Sequence, residues 1–314
     1  MDASIIIQFV LLIVGFVFLI KGSDFFVDGA SSIASLLKIP TIIVGLTIVA
    51  LGTSAPEAAV SITSSLTGSN ALAVSNVIGS NMFNILMVIG IAALLGELVM
   101  EKQVLEKDLP FLVGITLLWA VFIVIGWDIT NIEGIILLAI MVAYIAYLVY
   151  STKKSGGATE VEKPKYSLPY SIIFILVGLA GIVIGGDLVV DSASAIAMAF
   201  GMSETLVGLT IVAIGTSLPE LVTSLTALRK GENQMVIGNV IGSNIFNILF
   251  VLGASSAISA IPLNSGMLID VILMIFVTVL CFIFGKTQEK YDKKEGAILV
   301  ILFIAYMAFA ILRN

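Results

Sequence analysis

The chain has 314 residues, of which 59% are hydrophobic and 11% are charged, and its formal net charge is −6. A soluble domain is closer to half apolar and a quarter charged, so this composition indicates an integral membrane protein. The chain contains no histidine, which excludes the residue most often used as a proton relay or zinc ligand near neutral pH.

Ten apolar runs are long enough to cross the ~30 Å hydrocarbon core of a bilayer. They lie near residues 5–31, 39–66, 71–96, 108–126, 131–150, 168–194, 202–228, 234–260, 266–285 and 295–312. The first and sixth runs are rich in glycine, including Gly181 and Gly185, and we expect these glycines to be close-packing contacts between helices. The ninth run contains the single cysteine, Cys281, which we expect to be a small apolar residue within its helix.

The second span contains GLTIVALGTSAPE at residues 45–57, and the seventh contains GLTIVAIGTSLPE at residues 208–220. The two segments match at eleven of thirteen positions, at an offset of 163. Proline lacks a backbone donor and its ring obstructs the carbonyl four residues earlier, so we expect both spans to be broken here. Each copy also places one carboxylate, Glu57 or Glu220, in an apolar segment, at a cost of about 2.5–3.5 kcal/mol even on the lenient insertion scale.

The third and eighth spans carry a second duplicated block with the same offset. NVIGSNMFNIL at residues 76–86 matches NVIGSNIFNIL at residues 239–249 at ten of eleven positions. In each copy a serine and an asparagine four residues apart share one helix face. These residues are Ser80, Asn84, Ser243 and Asn247. They are candidates for an ion site, and hydrogen-bonded contacts between packed helices are the alternative.

The basic residues predict the orientation of the chain in the membrane. Fourteen of the 15 lysines and arginines lie in or beside the gaps that follow odd-numbered spans, and Arg313 alone lies at the other end. Because cytoplasmic loops carry an excess of lysine and arginine, these gaps are predicted to be cytoplasmic. We therefore expect a multi-pass protein of the cell membrane with both termini outside.

The repeat divides the chain into two five-helix units, residues 1–150 and 168–314, joined by a cytoplasmic linker at 151–167. An odd number of spans in each unit turns the second unit upside down, which is the inverted-topology repeat of many secondary transporters. The expected fold is all-α, with ten transmembrane helices and with helices 2, 3, 7 and 8 broken around a site at the membrane midplane. Four aspartates near span ends, for which we expect structural or hydration roles, are Asp24, Asp28, Asp187 and Asp191.

The polar groups of these broken spans are hydroxyl, amide, carbonyl and carboxylate oxygens, with no thiol or imidazole. Calcium accepts about six to eight such oxygens in a flexible geometry, and two carboxylates balance its charge. Sodium accepts the same ligands, whereas copper, zinc and iron prefer softer ones. The sequence therefore predicts a site for a hard cation.

These paired motifs resemble the two α-repeats of the calcium/cation antiporter superfamily, and most closely those of its prokaryotic sodium/calcium exchanger branch. The resemblance covers all ten spans and implies a site between spans 2, 3, 7 and 8, past which spans 1 and 6 slide. It implies that Glu57 and Glu220 are the central calcium ligands, which sodium shares, and that Thr53 and Thr216 offer carbonyls and hydroxyls to calcium. Flanking sodium sites would be completed by the carbonyls of Ala50 and Ala213 and by the hydroxyls of Ser54, Ser80, Ser217 and Ser243. Asn84 and Asn247 would line the middle of the site.

One position departs from the family pattern, because characterised exchangers of this type often carry an aspartate where this chain has Asn247. The expected function is electrogenic exchange of sodium for calcium, with a proton/calcium or a potassium-dependent antiporter as the alternative and a cation channel as a distant one. We expect calcium and sodium as the transported substrates and the lipid bilayer as the environment of the protein. We expect no cofactor, no nucleic acid and no obligatory protein partner. An enzyme is not expected, because the sequence offers neither a nucleophile–base pair nor a nucleotide-binding loop.

Overall fold

The computed structural model describes residues 3–154, 163–202, 207–262 and 265–313, and almost all of these residues are helical. The helices are α1 (Ala3–Leu37), α2 (Thr41–Thr53), α3 (Ala55–Leu66), α4 (Asn70–Leu95), α5 (Val104–Gly126), α6 (Asn131–Lys154), α7 (Leu168–Ala199), α8 (208–215), α9 (Leu218–Arg229), α10 (Asn233–Ile258), α11 (Ser265–Gln288) and α12 (Lys293–Arg313). Four two-residue strands complete the fold: β1 (Leu98–Val99), β2 (Asp128–Ile129), β3 (Ile261–Pro262) and β4 (Lys290–Tyr291).

Among the described residues, eight helices are long and apolar enough to cross a membrane, and the bent pair α2–α3 adds a ninth span. The predicted seventh span falls on α8, α9 and residues 203–206, and those four residues lie outside the described part of the chain. The all-α membrane fold is therefore confirmed, and the count of ten spans stays a prediction. Two helices, α1 and α7, run past their predicted ends to Leu37 and Ala199, because the apolar run marks the hydrocarbon crossing and not the full helix.

The predicted break in the second span lies between α2 and α3, whose axes differ by 48°. Pro56 occupies the first turn of α3, where its missing N–H costs nothing. The third and eighth spans are interrupted in a different form. Both α4 and α10 widen from α- to π-helical geometry, at Asn84–Ile89 and at Asn247–Leu252, without a comparable bend. Such π-helical turns are frequent at functional sites.

Two long helices, α1 and α7, pack antiparallel along a glycine seam. A Cβ added to Gly22 would lie 2.7 Å from the backbone nitrogen of Ile182, and one added to Gly178 would lie 2.5 Å from that of Phe26. Farther along, Gly15 faces Gly185, which confirms the predicted close-packing role of these glycines. Because α1 and α7 are equivalent in the sequence repeat, their antiparallel packing is what a two-fold axis perpendicular to the helices requires. That axis is the one expected of an inverted repeat.

The short strands repeat the same relation. Strand β1 pairs antiparallel with β4, and β2 pairs antiparallel with β3. Adding the offset of 163 to β1 gives β3, so each small sheet joins one unit to the other and the repeat exchanges the two sheets. The β1–β4 sheet also accepts a hydrogen bond from Gln234 Nε2 at the carbonyl of Val99, 3.0 Å away. These contacts gather several of the basic loops at one end of the molecule.

The centre of the fold is formed by α4 and α10. In their most apolar stretches, 78% and 94% of the residues are buried, against 17% in α1. An apolar helix that is buried on all sides lies inside a bundle, whereas one that stays exposed faces lipid. The duplicated polar blocks of α4 and α10 therefore lie in the interior, with the helix breaks of α2–α3 and α8–α9 beside them.

Candidate cation site

Both glutamates of the duplicated motif lie in the first turn of a helix, Glu57 in α3 and Glu220 in α9. Each follows a proline that begins the new helix after the break. The positive end of a helix dipole stabilises a carboxylate in this position. Both side chains are fully buried, with 0% exposure, so the site is shielded from both ends of the molecule.

Each carboxylate accepts a hydrogen bond from a serine of the opposite unit. Ser54 Oγ donates to Glu220 Oε1 at 2.9 Å, and Ser217 Oγ donates to Glu57 Oε1 at 3.2 Å. The hydroxyl of Ser80, on α4, lies 3.4 Å from the same oxygen of Glu57. These reciprocal bonds tie the two helix breaks together at one place.

The threonines of the motif lie beside the glutamates. Thr53 Oγ1 donates to Asn239 Oδ1 at 3.1 Å and lies 3.5 Å from Ser243 Oγ. In the reciprocal pair, Thr216 Oγ1 lies 3.5 Å from Asn76 Oδ1. The two threonine hydroxyls are therefore engaged with asparagines of the other unit, and any additional ligand role falls more readily to their carbonyls.

The two predicted carbonyl ligands belong to the turns just before the breaks. The carbonyl of Ala50 accepts the N–H of Ser54 at 3.0 Å and lies 3.4 Å from Thr53 Oγ1. Because this carbonyl oxygen already accepts a hydrogen bond, it could coordinate an ion only with its second lone pair. Ala213 is the first residue of the short helical turn Ala213–Gly215 in α8.

Two asparagines complete the set, and each is the first residue of a π-helical turn. Asn84 Nδ2 donates to Asn244 Oδ1, and Asn247 Nδ2 donates to Asn81 Oδ1, both at 3.2 Å. Each bond joins α4 to α10 and thus one unit to the other. The structure therefore brings the predicted site residues of both units together around two carboxylates.

Several oxygens of this set have no partner within the described residues, and all of them are buried acceptors. They are Glu57 Oε2, Glu220 Oε2, Asn84 Oδ1 and Asn247 Oδ1. A buried acceptor without a hydrogen bond costs about 1–3 kcal/mol, and a charged one costs more. Two carboxylate and two amide oxygens that lack donors suit a hard cation. The described part of the chain contains no group of three or more His, Cys, Asp or Glu side chains placed to hold a metal ion, so Glu57 and Glu220 are the acidic side chains this site offers.

The site lies directly against the glycine-seamed helix pair. A Cβ on Gly52 would lie 2.6 Å from the ring of Phe26 in α1, and one on Gly215 would lie 2.2 Å from a methyl group of Val190 in α7. The glycine of each Gly-Thr-Ser sequence thus lets a side chain of α1 or α7 approach the helix break closely. A shift of α1 or α7 would therefore change the packing against the helix breaks that carry the site.

Sequence reasoning missed four asparagines that surround the predicted ligands. Asn76 Nδ2 donates to the carbonyl of Glu57 at 3.2 Å and to Ser61 Oγ at 2.9 Å, and Asn239 makes the equivalent bonds in the other unit. Asn81 and Asn244 bond the two central asparagines. The duplicated block contained the signal, because it repeats these amides in spans that are otherwise apolar.

The fold and the site define a class: a multi-pass helical membrane protein with a buried site for a hard cation between two repeated units. The chain belongs to the sodium/calcium exchanger family, whose model, described as "Sodium/calcium exchanger protein", matches residues 7–152 and 170–312. By this description, the members of the family are ion exchangers.

Individual relatives agree with this assignment. CaxA of Alkalimonas amylolytica is 39% identical over 290 residues, covering 88% of this chain and 90% of that protein. The sodium/calcium exchanger MaX1 of Methanosarcina acetivorans is 30% identical over 343 residues, covering 96% and 98%. A structure of the sodium-calcium exchanger NCX_Mj, soaked with 2.5 mM Na+ and 10 mM Sr2+, superposes with a TM-score of 0.86 at 30% identity, covering 97% of this chain and 99% of that one.

Proposed function

We propose that this chain is a secondary active antiporter that exchanges sodium for calcium across the cell membrane. The observation that carries the proposal is a set of four buried oxygens that have no hydrogen-bond partner among the residues the structure describes: one each from Glu57, Glu220, Asn84 and Asn247. Calcium and sodium both accept a purely oxygen ligand set of this kind, and calcium tolerates its irregular geometry better than magnesium does. In this proposal both ions use the same site, so they exclude each other.

The charge of the site sets the electrical character of the cycle. Two glutamates neutralise one calcium ion, and three sodium ions would leave one positive charge. With a membrane potential of about 100 mV, one charge contributes about 2.3 kcal/mol. A tenfold sodium gradient contributes about 1.4 kcal/mol per ion. Three sodium ions and the potential therefore supply about 6.5 kcal/mol, which supports a calcium gradient of nearly five decades.

The contacts of the site suggest which parts move. Reciprocal bonds of Ser54 and Ser217 tie the two helix breaks to each other, so the breaks behave as one core. The glycine seam packs α1 closely against α7, so in this proposal the two helices move together against that core. The doubly charged site is too costly to carry across the membrane without ions, so each passage requires a load.

The sidedness of the protein follows from its basic loops. We propose that the end carrying β1, β4 and most lysines is cytoplasmic and that both termini lie outside. The two repeated units would then present equivalent ligands to opposite sides of the membrane, as alternating access requires. Residues 1–150 and 168–314 would be these units, with 151–167 as the linker between them.

Sodium-driven calcium uptake into proteoliposomes tests the proposal. Purified protein is reconstituted in vesicles, and radioactive calcium uptake is measured with outward sodium, potassium and proton gradients imposed separately. We expect the sodium gradient to drive uptake and an imposed membrane potential to change its rate. Uptake driven only by a proton gradient would support the proton/calcium alternative, and uptake that needs potassium would support a potassium-dependent exchanger.

Substitution of the central carboxylates tests the assigned site. Glu57→Gln or Glu220→Gln removes one of two charges and one orphaned carboxylate oxygen, so sodium-driven calcium uptake should be abolished. Glu106→Gln is the matched control, because Glu106 is an exposed glutamate of α5 away from the site. Unchanged uptake in Glu57→Gln would exclude Glu57 as an essential ligand. Conductance without coupled sodium counterflow would instead indicate a channel.

A further inference from the structure

The side-chain orientation of the central asparagines, Asn84 and Asn247, affects cation binding in a way that the orientation of a glutamate carboxylate does not. An asparagine amide presents an acceptor oxygen on one side and a donor NH2 on the other. Only the oxygen can bind a cation, whereas the NH2 would repel it. Asn84 and Asn247 are fully buried, so water cannot help to select the productive orientation. Something in the protein must therefore fix the amide plane.

The structure contains one group in each unit that does this. Asn244 Oδ1 accepts the NH2 of Asn84, and Asn81 Oδ1 accepts the NH2 of Asn247, both at 3.2 Å. With the NH2 held on this side, the amide oxygens of Asn84 and Asn247 are left without partners among the described residues. Those oxygens are two of the four that we assign to the cation.

The nitrogens of the supporting asparagines make little contribution to hydrogen bonding. Asn81 Nδ2 lies 3.9 Å from Met274 Sδ, which is a weak contact, and Asn244 Nδ2 has no partner within the described residues. Both side chains are buried, with exposures of 1% and 0%. Among the described residues, the bond that each makes to the central amide through its oxygen is thus its main polar contact.

We propose that Asn81 and Asn244 are positioning residues, which select the cation-binding orientation of Asn247 and Asn84 in the opposite unit without touching the ion. This inference rests on the proposed exchange of sodium and calcium. Because each bond crosses between units, the supporting pair also keeps α4 and α10 in register at the site. Groups in this outer layer of a metal site commonly change affinity by about 10–100-fold when they are substituted.

A double-mutant cycle separates this role from a general structural one. Asn81→Leu keeps the side-chain volume and removes the acceptor, Asn247→Ala removes the central amide, and a third variant combines both. The calcium concentration that gives half-maximal sodium-driven uptake should rise about tenfold in Asn81→Leu. In the Asn247→Ala background, Asn81→Leu should have almost no further effect, since residues in one hydrogen-bond network are not additive. The maximal rate should change less than the half-saturating concentration.

Two further comparisons keep the result interpretable. Asn81→Asp retains the acceptor oxygen and adds a negative charge, so it should not show the loss of calcium affinity that Asn81→Leu shows. Combining Asn81→Leu with Asn84→Ala, which belongs to the other bonded pair, should give effects that are closer to additive. Calcium-dependent thermal stabilisation of the purified variants measures binding even where transport is lost.

Additive effects of Asn81→Leu and Asn247→Ala, or an unchanged calcium response in Asn81→Leu, would overturn the inference. The wild-type protein distinguishes this outcome from failure of the proposed function. If wild type shows no sodium-driven calcium uptake, the exchange proposal is wrong. If wild type exchanges the ions and the cycle is additive, only the positioning role of Asn81 is wrong.

Discussion

The close contact between α1 and α7 at their glycines predicts a loss of stability on substitution, and the distances in the structure set its magnitude. In Gly178→Ala, the new Cβ would lie 2.5 Å from the backbone nitrogen of Phe26 and 2.7 Å from the carbonyl oxygen of Gly22. Neither atom can rotate away, because both belong to the backbone of α1. Ordinary contact begins near 3.4 Å, so the helices must separate locally by about 0.9 Å.

The matched control lies on the same helix. In Gly186→Ala the nearest atom to the new Cβ is the Cγ of Pro219, at an ordinary distance of 3.7 Å. Both substitutions gain the same helix preference of alanine over glycine, about 1 kcal/mol, so this contribution cancels between them. What remains is the collision in Gly178→Ala, which overpacking measurements place at about 1–3 kcal/mol. Gly178→Ala should therefore be less stable than Gly186→Ala by that amount.

Thermal unfolding of the two purified variants in the same detergent and ion conditions tests this difference. For a chain of this length, about 1–3 kcal/mol corresponds to an apparent melting temperature lower by about 1.5–4.5 °C in Gly178→Ala. The comparison is made at one heating rate, because membrane proteins often unfold irreversibly. A Gly178→Ala variant that melts at or above the temperature of Gly186→Ala would refute the close backbone contact between α1 and α7.

Three other predictions use different parts of the molecule. Asn247→Asp adds a third carboxylate opposite Asn81 Oδ1, so the half-saturating calcium concentration should fall more steeply as pH rises than it does in wild type; identical pH profiles in variant and wild type would contradict this. Lys230→Thr removes the partly exposed ion pairs of Lys230 with Asp28, at 2.8 Å, and with Asp24, at 3.7 Å, and should lower stability by about 1 kcal/mol at most. This difference should shrink when unfolding is measured at about 0.5 M choline chloride, because salt screens partly exposed charges. Cys281 is buried, so a maleimide should label it only after denaturation, and rapid labelling of the native protein would place it elsewhere.

Much of the fold could be predicted from the sequence because the bilayer imposes its own length on every apolar run. The break at Pro56 was also predictable, since proline has a fixed backbone consequence. The π-helical turns at Asn84–Ile89 and Asn247–Leu252 were not, because these residues carry no local signal for a wider turn.

The site divides in the same way. Glu57 and Glu220 could be identified from cost alone, because a carboxylate in an apolar span needs a reason to be there. Hydrogen-bond partners in opposite units could not be identified, because a sequence repeat shows which residues are equivalent and not which residues are close in space. The repeat makes Ser54 equivalent to Ser217, whereas in the structure each of these serines donates a hydrogen bond to the glutamate of the other unit. Reciprocity of this kind is a property of the two-fold packing.

That packing limits what the site itself can decide. In the proposed inverted repeat a two-fold axis relates the ligands of the two units, so the site alone gives no preference for opening to one side. Any preference must come from residues that differ between the units. Asp28 of α1 binds Lys230 at 2.8 Å, whereas its counterpart on α7, Asp191, has Thr67 in the equivalent position, which cannot form an ion pair. This ion pair joins α1 to the basic end of the core and would stabilise the conformation in which it forms. A contact worth about 1 kcal/mol changes the ratio of the two opposite-facing conformations roughly fivefold.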